Sequence, residues 1–262
     1  MASVNSAVVQ GADVVEVDIR TTVDGVWVLM HDGTVTRTVV ADSNKTGKAE
    51  VDEMTYAELQ TLALDDHLGR CVDPAAEGFA ARCRVPALAD VLDVARGRIL
   101  VMLDWKGGAA TSLGQLLAAK DATSFAFAFD SDIDELEIAE AEAPGLSIMP
   151  RAKSVAEVEA LLARRPFDMI HVDTGYLASL PREFGGRPVK YFVDVFIEVD
   201  LYAASHELSG NREELEQARV NYLGVLDAGA FMTQADHAYL MREWIDEWRS
   251  ASPHRSQGRV AR

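Results

Sequence analysis

Residues 85–106 read VPALADVLDVARGRILVMLDWK, and two periodicities meet inside them. Leu88, Val91, Leu92 and Ala95 recur at the three- and four-residue spacing that lines one helix face, with Pro86 suited to a first helical turn and Gly97 placed to end the helix. The chain then enters ILVMLDWK (99–106), an apolar run of strand length that ends in charge. A helix that hands over directly to a buried strand is half of the repeating unit of a parallel sheet.

The same alternation extends outward. Further strands are expected at SFAFAFD (124–130), LSIMPRA (146–152), FDMIHVD (167–173), VKYFVDVF (189–196) and AFMT (230–233). Helices are expected over 55–64, where Tyr56, Leu59, Leu62 and Ala63 share a face, over 132–143, over 154–164 with Ser154 and Glu157 as a capping box, and over 212–226. Residues 34–51 are polar and turn-rich, and 65–84 read as an inserted loop. Such an order fits a β/α barrel or a doubly wound sheet. No glycine-rich dinucleotide fingerprint follows any strand, and TGK at 46–48 lacks the upstream glycine of a phosphate-binding loop, so the barrel is the expected fold. A single barrel domain over residues 1–249, followed by a polar tail at 250–262, suits the length of 262 residues.

Charge narrows the functions. The formal net charge of -17 argues against nucleic acid as a partner and against adsorption to anionic lipid, both of which need clustered Lys and Arg. An anionic substrate would have to be met by local positive charge. No apolar run is long enough for stable membrane insertion, and residues 2–10 lack the basic and apolar regions of a secretory signal. The compartment stays open, cytoplasmic by default and extracytoplasmic if the start is truncated; so does the oligomeric state. Cys71 and Cys83 can form a small disulfide in an oxidising compartment or remain two thiols, of which the thiols are the expected state.

Chemistry enters at residues 11–32, GADVVEVDIRTTVDGVWVLMHD. In a strand Glu16 and Asp18 share one face, while Val15, Val17 and Ile19 share the other. Two carboxylates side by side facing a barrel interior repel and lose solvation unless a cation compensates them, and hard oxygen ligands suit Mg²⁺ or Ca²⁺. The Asp24-Gly25 pair signals a two-residue hairpin loop, which would set Asp18 opposite His31; a three-residue loop would shift that pairing. Asp104 and Lys106, again two apart, close the strand of 99–106, and barrel active sites gather at the carboxyl ends of strands. Taken singly, Glu-x-Asp is more often a solvated sheet face and Asp104 with Lys106 more often a surface ion pair; their joint occurrence, each at the end of an apolar strand, reverses that balance.

Residues 11–38, with Glu-x-Asp, the Asp-Gly turn and His-Asp, resemble the signature region of glycerophosphodiester phosphodiesterases. The resemblance continues through VDEMTYAELQTL (51–62) and 85–106, with a weaker echo in LDAGAFMTQADHAYL (226–240). It implies a TIM-type (β/α)8 barrel of the PLC-like phosphodiesterase kind. The implied reaction is metal-dependent hydrolysis of a small-molecule glycerophosphodiester to glycerol 3-phosphate and an alcohol. By position, the resemblance makes Glu16, Asp18 and Asp104 metal ligands, His31 a general acid/base and Lys106 a partner of the phosphate charge.

There are departures. The family's His-Arg-Gly and Glu-Asn-Thr motifs would lie upstream of Met1, so the first strand is expected to be missing and the chain's activity to be impaired. Gln234 stands where the family carries Asp, and no Trp-Thr-Val-Asn segment is visible. His67 or His171 would serve as substitute acid/bases only against the commoner reading of a solvated loop histidine and a structural strand histidine. Ser205, His206 and Glu207, adjacent in sequence, read as surface residues rather than a nucleophilic triad. A sphingomyelinase D-like phospholipase is the alternative enzyme, which HDGTVTRT (31–38) disfavours; a non-catalytic metal- or phosphoester-binding descendant is the alternative from another class.

Overall fold

The computed structural model describes residues 2–40, 47–65, 71, 78, 83–195, 212–235 and 238–251. It divides into two compact units, Met1–Val9 with Asp13–Ile148, and Gln10–Ala12 with Met149–Arg262. His67 and Ser205-His206-Glu207 lie outside the described residues.

The first unit opens with helix α1 (Ala2–Val9), then strand β1 (Val14–Thr21) and the short β2 (Trp27–Leu29). A 3₁₀ turn, Val51–Glu53, and helix α2 (Tyr56–Leu59) precede α3 (Leu88–Ala95) and β3 (Leu100–Trp105). Then follow α4 (Ala110–Ala119), β4 (Ala126–Asp130), α5 (Ile133–Glu142) and β5 (Ser147–Pro150), in which the chain passes to the second unit. These strands form one sheet in the order β2-β1-β3-β4-β5, with β1, β3 and β4 parallel and β2 antiparallel to β1.

The core of this unit follows from the two periodicities. Val15, Val17 and Ile19 of β1 are buried and alternate with half-buried Glu16, Asp18 and Arg20, so one strand face packs and the other is left for chemistry. Leu88, Val91, Leu92 and Ala95 are all buried, as the helical stripe requires. Burying each large apolar side chain of this kind stabilises by roughly 1.5–3 kcal/mol. Helix α2 begins at a full capping box, in which Thr55 accepts from the Glu58 N–H and the Glu58 carboxylate accepts from the Thr55 N–H. Asp132 caps α5 by accepting from the backbone of Asp134 and Glu135. Where α4 meets α5, a Cβ on Gly114 would fall 2.4 Å from the carbonyl oxygen of Ala139, so the close approach of the two helices needs glycine.

The turn between β1 and β2 corrects the expected pairing. Thr22 and Val26 pair through an N–H donated to the Val26 carbonyl at 3.0 Å, and Gly25 donates its N–H to the Thr22 carbonyl at 2.9 Å, which leaves three residues in the loop. A two-residue type I′ turn needs two successive left-handed residues, and here only Gly25 (φ 79°) is left-handed. The Thr22 hydroxyl, donating to Asp24 at 2.6 Å, holds the alternative loop. Register therefore shifts by one: Ile19 pairs with Leu29, and the Met30 N–H reaches the Asp18 carbonyl, so Asp18 faces Met30 and not His31. A true two-residue turn occurs at Gly185-Gly186 (φ 58° and 78°), joining β7 (Glu183–Phe184) to β8 (Arg187–Pro188). Cys71 and Cys83 form a disulfide, against the expectation of two thiols; both are buried beside Ala63. The pairing brings their Cα atoms to 5.4 Å, a separation that spacing in sequence does not disclose.

In the second unit α6 (Val155–Arg164) leads to β6 (Ile170–His171) and α7 (Thr174–Leu177), and the β7–β8 hairpin leads to β9 (Tyr191–Asp194). Helix α8 (Arg212–Asp227), β10 (Met232–Gln234) and α9 (Ala238–Ala251) follow. Strands β10, β9 and β6 form a parallel sheet in that order. Ile170, Tyr191, Val193, Tyr222 and Trp244 anchor its core. Ser154 caps α6 by accepting from the Glu157 N–H, but the Glu157 carboxylate accepts from Lys153, one residue short of the reciprocal bond of a capping box.

Candidate functional site

The site is built where β1 and β3 run side by side. Their register pairs Asp18 with Asp104, so two carboxylates on adjacent strands face the same way, and Glu16 joins them from two residues earlier on β1. Glu16, Asp18 and Asp104 each offer an oxygen, and these oxygens lie within 4.8 Å of one another. Three hard, anionic donors converging at partly buried positions fit a divalent cation such as Mg²⁺ or Ca²⁺ by the chemistry of the donor set.

Lys106 follows β3 directly. Its ammonium donates to Asp104 Oδ2 at 2.8 Å and lies 3.4 Å from Asp18 Oδ1. Burial works to lower the Lys106 pKa, but the hydrogen bond and charge of Asp104, with the charge of Asp18, outweigh it and hold the ammonium above its ordinary value. The lysine is therefore a fixed positive charge at neutral pH, partly offsetting three negative ones. Four of the five residues expected to form the site are thus brought together.

His31 stands on the loop after β2, with its side chain 61% exposed. Its Nδ1 lies 2.8 Å from Asp32 Oδ1. Arg37 grips the same carboxylate with a bidentate fork, Nε to Oδ2 at 2.7 Å and Nη2 to Oδ1 at 2.8 Å. The Arg37 fork and the His31 contact hold the Asp32 carboxyl well below the usual carboxylate range. An ionised carboxylate only accepts, so in the neutral ring Nδ1 carries the proton and Nε2 keeps the lone pair. Asp32 and Arg37 escaped the sequence reading as site residues; the adjacency of His31 and Asp32 was the available signal. Arg20, the next residue on the Glu16 and Asp18 face, escaped it too, and the alternation of β1 was the available signal.

In the second unit His171 is a strand histidine, 1% exposed, with Nε2 3.0 Å from Asp194 Oδ2 and its ring edge-on to Phe192. A ring so enclosed matches the structural reading over the catalytic one. Gln234 lies in register with Asp194 on the neighbouring strand.

A sequence profile of the Glycerophosphoryl diester phosphodiesterase family matches residues 1–143, more than half of the chain. No curated protein matches the chain in sequence. Among solved structures, a glycerophosphodiester phosphodiesterase from Agrobacterium tumefaciens superposes with a TM-score of 0.62 at 20% identity, covering 92% of this chain and 91% of that one. A glycerophosphoryl diester phosphodiesterase from Parabacteroides distasonis gives 0.65 at 21% identity over 89% and 75% of the two chains. An Oleispira antarctica phosphodiesterase in complex with the product sn-glycerol-3-phosphate gives 0.59 at 16% identity over 94% and 90%. These likenesses show a common α/β fold, the PLC-like barrel type with a parallel sheet, as the sequence led one to expect. With the profile spanning β1, β3 and every carboxylate of the cluster, the chain belongs to the glycerophosphoryl diester phosphodiesterase family.

Proposed function

We propose that the chain hydrolyses glycerophosphodiesters to glycerol 3-phosphate and an alcohol, using one divalent ion, Mg²⁺ or Ca²⁺. The observation that carries this reading is the convergence of Glu16, Asp18 and Asp104 on one another, two of them in contact with the Lys106 ammonium, in a member of this family. The three carboxylates would hold the ion. When bound, it polarises the phosphoryl oxygens and offsets the charge that develops on them. Lys106 adds a second positive charge toward the phosphate, which a protein of net charge -17 must supply locally. His31 acts as the acid/base through Nε2, with Asp32 fixing its tautomer and Arg37 fixing Asp32. In the overall reaction the oxygen of water forms the new bond to phosphorus, the ester P–O bond breaks, and the departing alkoxide leaves with a proton.

The presence of sn-glycerol-3-phosphate as product in the Oleispira antarctica relative supports the assignment of that product. The test is release of glycerol 3-phosphate from glycerophosphocholine with Mg²⁺ or Ca²⁺, run beside Asp18→Ala. Metal-dependent release that Asp18→Ala abolishes is the expected result. Release no greater than that of the variant, at saturating metal, would overturn the reading; metal binding without turnover would mark a binding protein, and hydrolysis of sphingomyelin instead would mark the phospholipase alternative.

A further inference from the structure

We propose that Arg20 is a positioning residue for this site, a single guanidinium that ties the loop bearing His31 to the loop bearing Lys106. The inference rests on the phosphodiesterase reading above and adds a residue to it. Arg20 lies on the face of β1 that carries Glu16 and Asp18, two residues beyond Asp18. Its Nε donates to the His31 carbonyl at 3.0 Å, and its Nη1 donates to the Lys106 carbonyl at 2.8 Å.

Both acceptors lie just beyond the last paired residues of their strands, Leu29 of β2 and Trp105 of β3. On one side of β1 the Met30 N–H bonds to the Asp18 carbonyl at 3.0 Å; on the other the Lys106 N–H bonds to the Ile19 carbonyl at 3.0 Å. The guanidinium adds the next bond on each side, so the stretch from Asp18 to Arg20 is laced to both neighbours where sheet pairing ends. Space is left for it: a Cβ on Gly107 would fall 3.3 Å from Arg20 Nη1, and one on Gly33 would fall 3.9 Å away.

The chemistry requires arginine. A planar fork sends two N–H groups in fixed, divergent directions, whereas an ammonium is a point that cannot reach both carbonyls in this geometry. Neither bond touches the carboxylate oxygens of the cluster. Loss of the fork should therefore loosen the acid/base and the phosphate lysine relative to each other and leave the metal ligands in place. Displacing reacting groups by about 1 Å costs on the order of 100-fold in rate.

The experiment compares wild type, Arg20→Ala and Arg20→Lys. For Arg20→Ala the expected result is a kcat lower by about 30-fold or more with KM within about 3-fold. Affinity for Mg²⁺ or Ca²⁺ by calorimetry should stay within about 2-fold, free guanidinium ion should restore part of kcat, and amide hydrogen exchange should quicken at 31–34 and 106–108. Arg20→Lys should stay as impaired as Arg20→Ala. Full activity in either variant, or a fall in metal affinity that parallels the fall in rate, would overturn the proposal. If wild type itself does not hydrolyse the diester, the hydrolase reading fails separately. Hydrogen exchange then decides: faster exchange in both loops of Arg20→Ala upholds the tie, and unchanged exchange removes it.

Discussion

Replacing Asp18 by Asn should make the metal-free protein more stable. Asp18 lies within 4.8 Å, oxygen to oxygen, of two other carboxylates, and 3.4 Å from one ammonium. Each like-charge contact at that distance costs about 1 kcal/mol in water-like surroundings and about 3.5 kcal/mol at an effective permittivity of 20. The single attraction to Lys106 returns less than the two repulsions together. With the Asp18 side chain 25% exposed, the real surroundings lie between these limits, and the net relief is about 0.5–2 kcal/mol. The assay is urea denaturation at pH 7 in chelator, followed by circular dichroism, then repeated with excess Mg²⁺ or Ca²⁺. Wild type should gain stability with the ion as mass action requires, and Asp18→Asn should gain little. If Asp18→Asn is less stable than wild type in chelator, Asp18 is a structural ion-pair partner of Lys106, and the account of a site under mutual repulsion is wrong.

Two further predictions concern the scaffold. Gly114→Ala places a methyl group 2.4 Å from the Ala139 carbonyl; because the obstacle is backbone, overpacking falls in the upper part of its usual range, about 2–3 kcal/mol, against a helix-propensity gain of about 1 kcal/mol, so denaturant midpoints should fall by the equivalent of about 1–2 kcal/mol. Unchanged stability would show that α4 and α5 part easily. Tyr191 donates its hydroxyl to the Pro181 carbonyl at 2.8 Å, and burial pushes its pKa from 10.0 up to about 12. A raised folded pKa gives stability that is full below the unfolded value and is lost as pH rises through the folded one, so the native state should weaken between about pH 10 and pH 12. Tyr191→Phe should cost about 1 kcal/mol at pH 7 and flatten that decline, read from denaturation curves over the same pH range.

The alternation of β1 and the stripe of α3 are local properties, which is why the strand, the helix and the carboxylate pair Glu16 and Asp18 were legible in the sequence. Their union with Asp104 depends on which strand lies beside β1 and in what register, a non-local fact; the gathering of barrel sites at the carboxyl ends of strands pointed to it, and the family resemblance named it. The hairpin went astray for a different reason. Asp-Gly permits two loops, and the choice fell to the Thr22 hydroxyl, whose bond to Asp24 no pairwise turn rule weighs. Strand β6 proved to be two residues where seven were expected, because Asp173 leaves the strand to become the N-cap of α7. Helix α9 was not expected although Leu240, Met241 and Trp244 form a buried stripe, because Arg242, Glu243, Asp246 and Glu247 dilute the apolar pattern.

The two hairpins invite opposite treatment at the bench. The loop at 22–26 looks expendable but is docked: Asp24 accepts from the Tyr56 N–H at 2.9 Å, and the Val23 N–H bonds to the Met54 carbonyl, so an affinity tag spliced there would prise the hairpin away from α2. Gly185-Gly186 has nothing within 4 Å of either prospective Cβ and flanks two exposed residues, Phe184 and Arg187. A peptide epitope, a fluorophore or a tether to a solid support belongs at that tip, where the inserted chain meets solvent and the cluster of carboxylates on β1 and β3 is left covalently untouched.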